Sequence, residues 1–191
     1  KQLSPLIGKI KNLLPSRADW AASAWPMVRG TVIGFFYGIL PGGNAIISSI
    51  LSYGVERRVS KHPERFGTGT IEGVAGPEAC NNATATSAFI PLLTLGIPTN
   101  AVMAIMLAAL MIHEVTPGPL LIAKRPDIFW GVIASMYIGN VILLALNLPL
   151  IGLWVRLLRV PYAYLFSAIL LFCLVGAYAI KGLISDIGIM I

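Results

Sequence analysis

Four stretches of the chain carry no Asp, Glu, Lys or Arg: residues 30–55, 79–113, 128–155 and 160–180, which are 26, 35, 28 and 21 residues long. A helix needs roughly 20 apolar residues to cross a hydrocarbon core of about 30 Å, so each run is long enough. The runs do not alternate at period two, as the strands of a membrane β-barrel would. The predicted fold class is therefore all-α, a polytopic membrane helical bundle. Two of the runs are interrupted. Pro41-Gly42-Gly43 splits the first into 31–40 and 44–53, and a ten-residue helix reaches only about 15 Å. The second contains Pro91 and then Gly96-Ile97-Pro98, leaving 99–113 at about 22 Å. These interruptions predict discontinuous helices, broken or re-entrant; the plainer alternative for the first is a proline-kinked span. Residues 77–112 read as one discontinuous element, such as a hairpin entering and leaving on one side, and Pro117-Gly118-Pro119 turns the chain. The run 128–155 reads as a full crossing from Trp130 to Trp154, with Arg156 and Arg159 as anchors. A second crossing spans 162–180, from Tyr162 and Tyr164 to Tyr178, and 183–191 begins another.

Ahead of these runs, Leu3, Leu6, Ile7, Ile10, Leu13 and Leu14 share one helical face, with Lys1, Lys9 and Lys11 off it. That spacing suits a helix lying on the membrane surface. Ser16 and Asp19 form a capping-box pattern for a second short helix. Trp20 and Trp25 fit the headgroup level, and Arg29 marks the water edge. The expected organisation is an amphipathic interfacial segment over 1–28 and a transmembrane carrier domain over 29–191. The chain opens on Lys1 and closes within an apolar run, so it reads as a piece of a longer membrane protein. Residues 54–78 form the main polar connection, glycine-rich and without net charge.

Composition agrees. Charged residues make up 12% of the 191, against about 25% in soluble domains, and mean hydropathy is +0.81. The net charge of +6 comes from Lys and Arg in the connections, where membrane proteins place them, and is not a nucleic-acid footprint. Cys80 and Cys173 read as small buried hydrophobes. Enzyme motifs fail: Gly67-Thr68-Gly69 with Gly73 has the wrong spacing for a dinucleotide site, and His113-Glu114 is followed by Pro117 where a zinc protease needs His. No P-loop or Gly-x-Ser-x-Gly occurs, so no catalytic activity is expected. The four runs hold no carboxylate of the kind intramembrane proton relays use.

The candidate chemistry lies at the breaks, because backbone broken at membrane depth must be buried or line a polar cavity. Pro41-Gly42-Gly43-Asn44 and Gly96-Ile97-Pro98-Thr99-Asn100 echo each other, and paired interruptions point to a transporter's midplane substrate site. New helices start around Asn44 and Asn100, with Thr99 or Asn100 as cap. Their free N–H groups and about half a positive charge each suit an anion. Carbonyls freed on the other side suit a cation such as Na⁺. A second candidate is the stretch from Gly76. Pro77 fits the first helical position, and Glu78, Asn81 and Asn82 share a face. Ala79, Ala83, Ala85 and Ala88 allow close packing. The alternative there is that Glu78 favours a helix N-terminus and the asparagines bond between helices. Substrate contact is expected from Pro41, Gly42, Gly43, Asn44, Asn81, Asn82, Gly96, Pro98, Thr99 and Asn100. Cation contact is expected from Glu78, Asn82, Thr94 and Gly96.

Several motifs resemble a known family. They are Arg29-Gly30-Thr31 with Gly34 and Gly38-Ile39-Leu40-Pro41-Gly42-Gly43, Ser52-Tyr53-Gly54-Val55-Glu56-Arg57-Arg58, and Phe66-Gly67-Thr68-Gly69. Glu72-Gly73-Val74-Ala75-Gly76-Pro77-Glu78-Ala79 with Asn81-Asn82-Ala83 is the most specific. Pro91-Leu92-Leu93-Thr94-Leu95-Gly96-Ile97-Pro98 and Pro117-Gly118-Pro119 complete the set. Together they resemble the second half of the large membrane subunit of the tripartite tricarboxylate transporters. Asn44 and Glu114 stand where glycine is expected, and Thr99-Asn100 where a Gly-Ser type pair is. The resemblance implies a multi-pass carrier in a bacterial inner membrane that imports tricarboxylates or related organic acids, with Na⁺ or H⁺ as coupling ion and no other cofactor. It implies a small transmembrane subunit and a periplasmic solute-binding protein as partners. A structural membrane subunit without a solute path is the alternative.

Overall fold

The computed structural model describes residues 14–157 and 160–181. The surface helix expected over 3–14 (Leu14 apart), Arg159 and the span expected from 183 lie outside them, as do the side chains of Trp154, Arg156, Tyr162 and Tyr178. The helices are α1 (Arg17–Ile39), α2 (Ala45–Val59), α3 (Glu72–Ser87), α4 (Phe89–Leu95), α5 (Ala101–Ile112), α6 (Leu121–Lys124), α7 (Pro126–Leu157) and α8 (Tyr162–Lys181), with one 3₁₀ turn at Pro63–Arg65. No strand occurs among the described residues. The described residues divide into two compact units, which part between Asn140 and Val141.

The capping box forms at Ser16, whose Oγ accepts the Asp19 N–H at 3.2 Å while Asp19 Oδ2 accepts the Ser16 N–H at 2.8 Å. The helix it starts is not short. Pro26 removes one ladder bond, yet α1 continues for 23 residues, about 35 Å, straight across position 28. The first half-helix expected at 31–40 is thus the last part of a crossing-length element. Beyond the Pro41–Gly43 break, α2 reaches Val59, because Arg57 and Arg58 in its last turn complement the helix dipole. The polar connection shrinks to 60–71.

Helix α3 begins five residues before Pro77, not at it. Ile71 O accepts the N–H groups of Val74 and Ala75, and the Thr70 hydroxyl donates to the Glu72 carboxylate. Pro77 is therefore interior and Glu78 lies mid-helix. Ala88 stays in the right-handed helical region, so α4 nearly continues α3 until Gly96.

Packing in the unit that ends at Asn140 is inverted relative to a soluble protein. Buried positions are largely small or polar: Ser23, Ser48, Ser52, Glu56, Thr84, Ser87 and Thr99. Large apolar side chains such as Phe36, Ile46, Ile50, Ile105 and Tyr137 are exposed. Lipid removes the hydrophobic drive between helices, so association relies on close backbone approach and hydrogen bonds. Gly30, Gly34 and Gly38 of α1 supply that approach. A Cβ on each would collide with Gly76 O, Cys80 O, and Ser87 Oγ with Thr84 O of α3, respectively. This face, and not Ala85, which is exposed, makes the tight contact. Ala88 instead packs with Leu92 and Met103, and Leu93, Val115 and Leu121 form a second cluster with Phe129 and Val132 of α7. Helix α7 is long and apolar enough over Pro126–Leu153 to cross a membrane, with Pro126 at its first position. Trp20, Trp25 and Trp130 are exposed, as interfacial tryptophans are.

Candidate functional site at the paired helix breaks

Both breaks turn on a glycine in the left-handed region, Gly42 at φ 85° and Gly96 at φ 71°, a conformation that costs other residues dearly. Each is followed by an asparagine cap. Asn44 Oδ1 accepts the Ile46 N–H at 2.8 Å, and Asn100 Oδ1 accepts the Met103 N–H at 3.0 Å.

The two breaks touch. Gly42 N–H donates to Thr99 O at 2.8 Å, and Asn100 Nδ2 donates to Gly43 O at 3.4 Å. Gly43 and Thr99 are buried, Pro98, Gly96 and Asn100 are half-buried, and Pro41, Gly42 and Asn44 are exposed. The start of α2 and the start of α5 therefore meet, each bringing first-turn N–H groups that have no partner within the helix ladder, one of them capped by its asparagine, and the positive end of its dipole. That arrangement favours an anion. Carbonyls near the second break are partly spoken for: Leu92 O accepts from Gly96, Pro91 O from Ile97 and Leu93 O from Gly118.

The other expected residues are not gathered there. In the α1–α3 register Gly76 lies at Gly30, and Thr84 and Ser87 lie at Gly38. Glu78 is thus well over two turns from the break end of α3, and it is exposed; Asn81 is half-buried. Asn82 and Thr94 line a cavity of about 620 Å³ with Thr31, Phe35, Phe129 and Tyr137. Asn82 Nδ2 donates to Glu78 O at 2.9 Å and Thr94 Oγ1 to Ile90 O at 2.7 Å, both within their own helix segments. No charged side chain lines this cavity, and no residue of either break does.

Sequence reasoning missed a seam between α1, α2 and α3. Ser48, Ser52 and Glu56 of α2 are buried at every fourth position, as are Gly76, Cys80 and Thr84 of α3 and the glycines of α1. Ser48 Oγ and Thr84 Oγ1 are 2.8 Å apart, Thr84 Oγ1 donates to Cys80 O at 2.8 Å, and the Cys80 thiol donates to Ser48 O at 3.2 Å. Cys80 is thus a polar partner, and Cys173 is exposed rather than buried. At the end of the seam Glu56, placed by the sequence in a polar connection, is 1% exposed and ion-paired with Arg29. The signal was present as three parallel i, i+4, i+8 stripes of small and polar residues. Among the described residues no three His, Cys, Asp or Glu side chains converge on a metal position.

The family model of the tripartite tricarboxylate transporter TctA family matches residues 3–191. An uncharacterized 52.8 kDa protein in the TAR-I ttuC' 3'region of Agrobacterium vitis is 51% identical over 175 residues, which is 92% of this chain and 35% of that protein. An uncharacterized protein in the TAR-II ttuC' 3'region of the same organism is 55% identical over 148 residues, 78% of this chain and 61% of that protein. The chain therefore spans about a third and about three-fifths of these relatives' lengths. No solved structure matches. With an all-helical fold, a crossing-length apolar helix and a family match along nearly its whole length, the chain belongs to the tripartite tricarboxylate transporter TctA family, a family of membrane transport proteins.

Proposed function

We propose that this chain forms part of the membrane carrier subunit of a binding-protein-dependent secondary transporter that imports tricarboxylates or related organic acids with Na⁺ or H⁺. It sits as a multi-pass protein in a bacterial inner membrane. A small transmembrane subunit and a periplasmic solute-binding protein work with it. The observation that carries this reading is the contact between two asparagine-capped helix starts, through Gly42 N–H to Thr99 O and Asn100 Nδ2 to Gly43 O. Two positive helix ends at one point favour a carboxylate without an ionised side chain beside it.

Asn100 should matter more than Asn44, since it caps its own helix and also bridges the breaks. A lost cap costs about 1 kcal/mol and a lost hydrogen bond about as much. Asn100→Ala is expected to cut uptake of labelled carboxylate in membrane vesicles about tenfold or more with normal protein levels. Asn44→Ala should have the smaller effect. Asn82→Ala tests the cavity in the same assay; wild-type uptake and ion dependence in both Asn82→Ala and Asn100→Ala would remove these residues from the site. A scaffold subunit without a solute path is the second reading. It is favoured by the direct contact between the breaks and by a 620 Å³ cavity that neither break lines. Uptake by the complete system, abolished by Asn100→Ala, would rule it out.

A further inference from the structure

We propose that Arg29 and Glu56 form a coupling latch, at which a substrate carboxylate replaces Glu56 on the guanidinium while a cation replaces Arg29 on Glu56. This rests on the carrier reading above and adds to it a site about 17 Å from the breaks, measured as eleven helical residues along α1 or α2.

The pair is built as a fork. Arg29 Nε donates to Glu56 Oε1 at 2.9 Å and Nη2 to Oε2 at 2.5 Å. The two side chains differ in burial: Arg29 is 34% exposed and Glu56 1%. Arg29 Nη1 has no hydrogen bond among the described residues. One edge of the guanidinium therefore holds the buried carboxylate, while Nη1 keeps its donors unused on a side chain that is a third exposed, so a second carboxylate can be received there.

Glu56 has no such freedom. From α3 it faces Gly76, whose missing side chain leaves room for the Glu56 Cγ. Cys80, one turn on, is the titratable group that α3 adds to the seam, and its thiol already donates to Ser48 O. On α2 itself Arg57 and Arg58 are exposed, and Ser52, one turn back, is fully buried with an unpartnered Oγ. Arg29 is thus the charged group that faces Glu56 among the described residues. A buried carboxylate stripped of its counter-charge is strongly disfavoured, so Arg29 leaves only when a cation arrives. Charge balances: one carboxylate binds Arg29, and one proton or Na⁺ binds Glu56, with the free Ser52 oxygen on the same face as a further ligand. No covalent bond breaks; a proton, where that is the cation, comes from water. The latch closes the open end of the α1–α2 hairpin, whose tip carries the Gly42–Thr99 contact, so opening it loosens the segment that holds the break.

The test uses the complete transporter with its binding protein in vesicles and a panel of labelled di- and tricarboxylates including citrate. Wild type is driven by a Na⁺ gradient, a pH gradient or neither; the gradient that drives accumulation names the cation. If wild type takes up no member of the panel, the carrier reading itself fails. Glu56→Gln keeps the size and a hydrogen bond to Arg29 but drops the charge. It is expected to reach the membrane, to equilibrate substrate and to lose gradient-driven accumulation, the inside-to-outside ratio falling to about one. Arg29→Lys, which breaks the fork, should raise the half-saturating concentration about tenfold. Accumulation by Glu56→Gln with wild-type ion dependence would overturn the proposal. Should Glu56→Gln fail to assemble, wild type still decides: binding is reciprocal, so the driving cation must tighten equilibrium binding of labelled carboxylate to the solubilised membrane subunits. An equilibrium affinity indifferent to both cations overturns the latch.

Discussion

Leucine at position 34 is expected to prevent α1 from docking on α3. A Cβ there already collides with Cys80 O and lies 2.9 Å from Ala83 Cβ, and the obstacle is helix backbone, which has no rotamer to yield. Ordinary overpacking costs about 1–3 kcal/mol; with a whole branched side chain driven into backbone, the loss should reach about 3 kcal/mol or more. Retreat of α1 would also break the Ser87 Oγ bond to Gly34 O at 3.3 Å and open the Gly30 and Gly38 contacts. Gly34→Ala should show a smaller loss in the same direction. Gly54 on α2 is the control, because nothing lies within 4 Å of a Cβ built there. Gly54→Ala should be neutral or stabilising by up to about 1 kcal/mol. Thermal melting of the detergent-solubilised protein reads all three, and wild-type melting of Gly34→Leu would refute the packing argument.

Truncating the two partners of the buried ion pair should have unequal effects on stability. Arg29→Ala leaves Glu56, 1% exposed, as an unpaired buried charge, a situation that costs about 3–5 kcal/mol. Glu56→Ala leaves Arg29, whose side chain is a third exposed and long enough to turn its guanidinium to water, so the loss should be about half as large or less. The double alanine variant should be less unstable than Arg29→Ala, since it removes the stranded charge. Choline chloride, whose cation is too bulky to take the place of Na⁺ at Glu56, should change none of these differences much, because buried charges are screened little. Melting temperatures of the three variants at low and high ionic strength test the ordering. An Arg29→Ala protein no less stable than Glu56→Ala would show that Glu56 reaches water after all.

The features legible from sequence were local ones. Pro-Gly and Gly-x-Pro within an uncharged run predicted where helices stop, and the breaks fall there, at Gly42 and Gly96. Asn44 and Asn100 were expected at helix starts, and both cap through their Oδ1 atoms. The Ser16–Asp19 box formed as its spacing implied. Helix lengths were less legible. Charged residues were taken as marks of water, so α1 and α2 were cut short at Arg29 and Gly54, and Pro77 was taken as a start because proline suits the first helical position. Proline inside α1 and α3 costs one ladder bond each, less than the packing of the buried faces returns.

What the sequence alone determined is the class of molecule and the position of its weak points. Uncharged runs of crossing length need a membrane, and a proline–glycine interruption followed by an asparagine is a signal complete within five residues. What only the tertiary structure decided is which distant groups meet: Gly42 with Thr99, Asn100 with Gly43, Gly34 with Cys80, and Arg29 with Glu56, 27 residues apart. Each pairing depends on helix length and register, and a shift of one residue in α1 against α3 would place side chains where the glycines now admit backbone. Glu56 shows the difference most sharply. Its charge argued for water, and a guanidinium on the neighbouring helix made burial affordable.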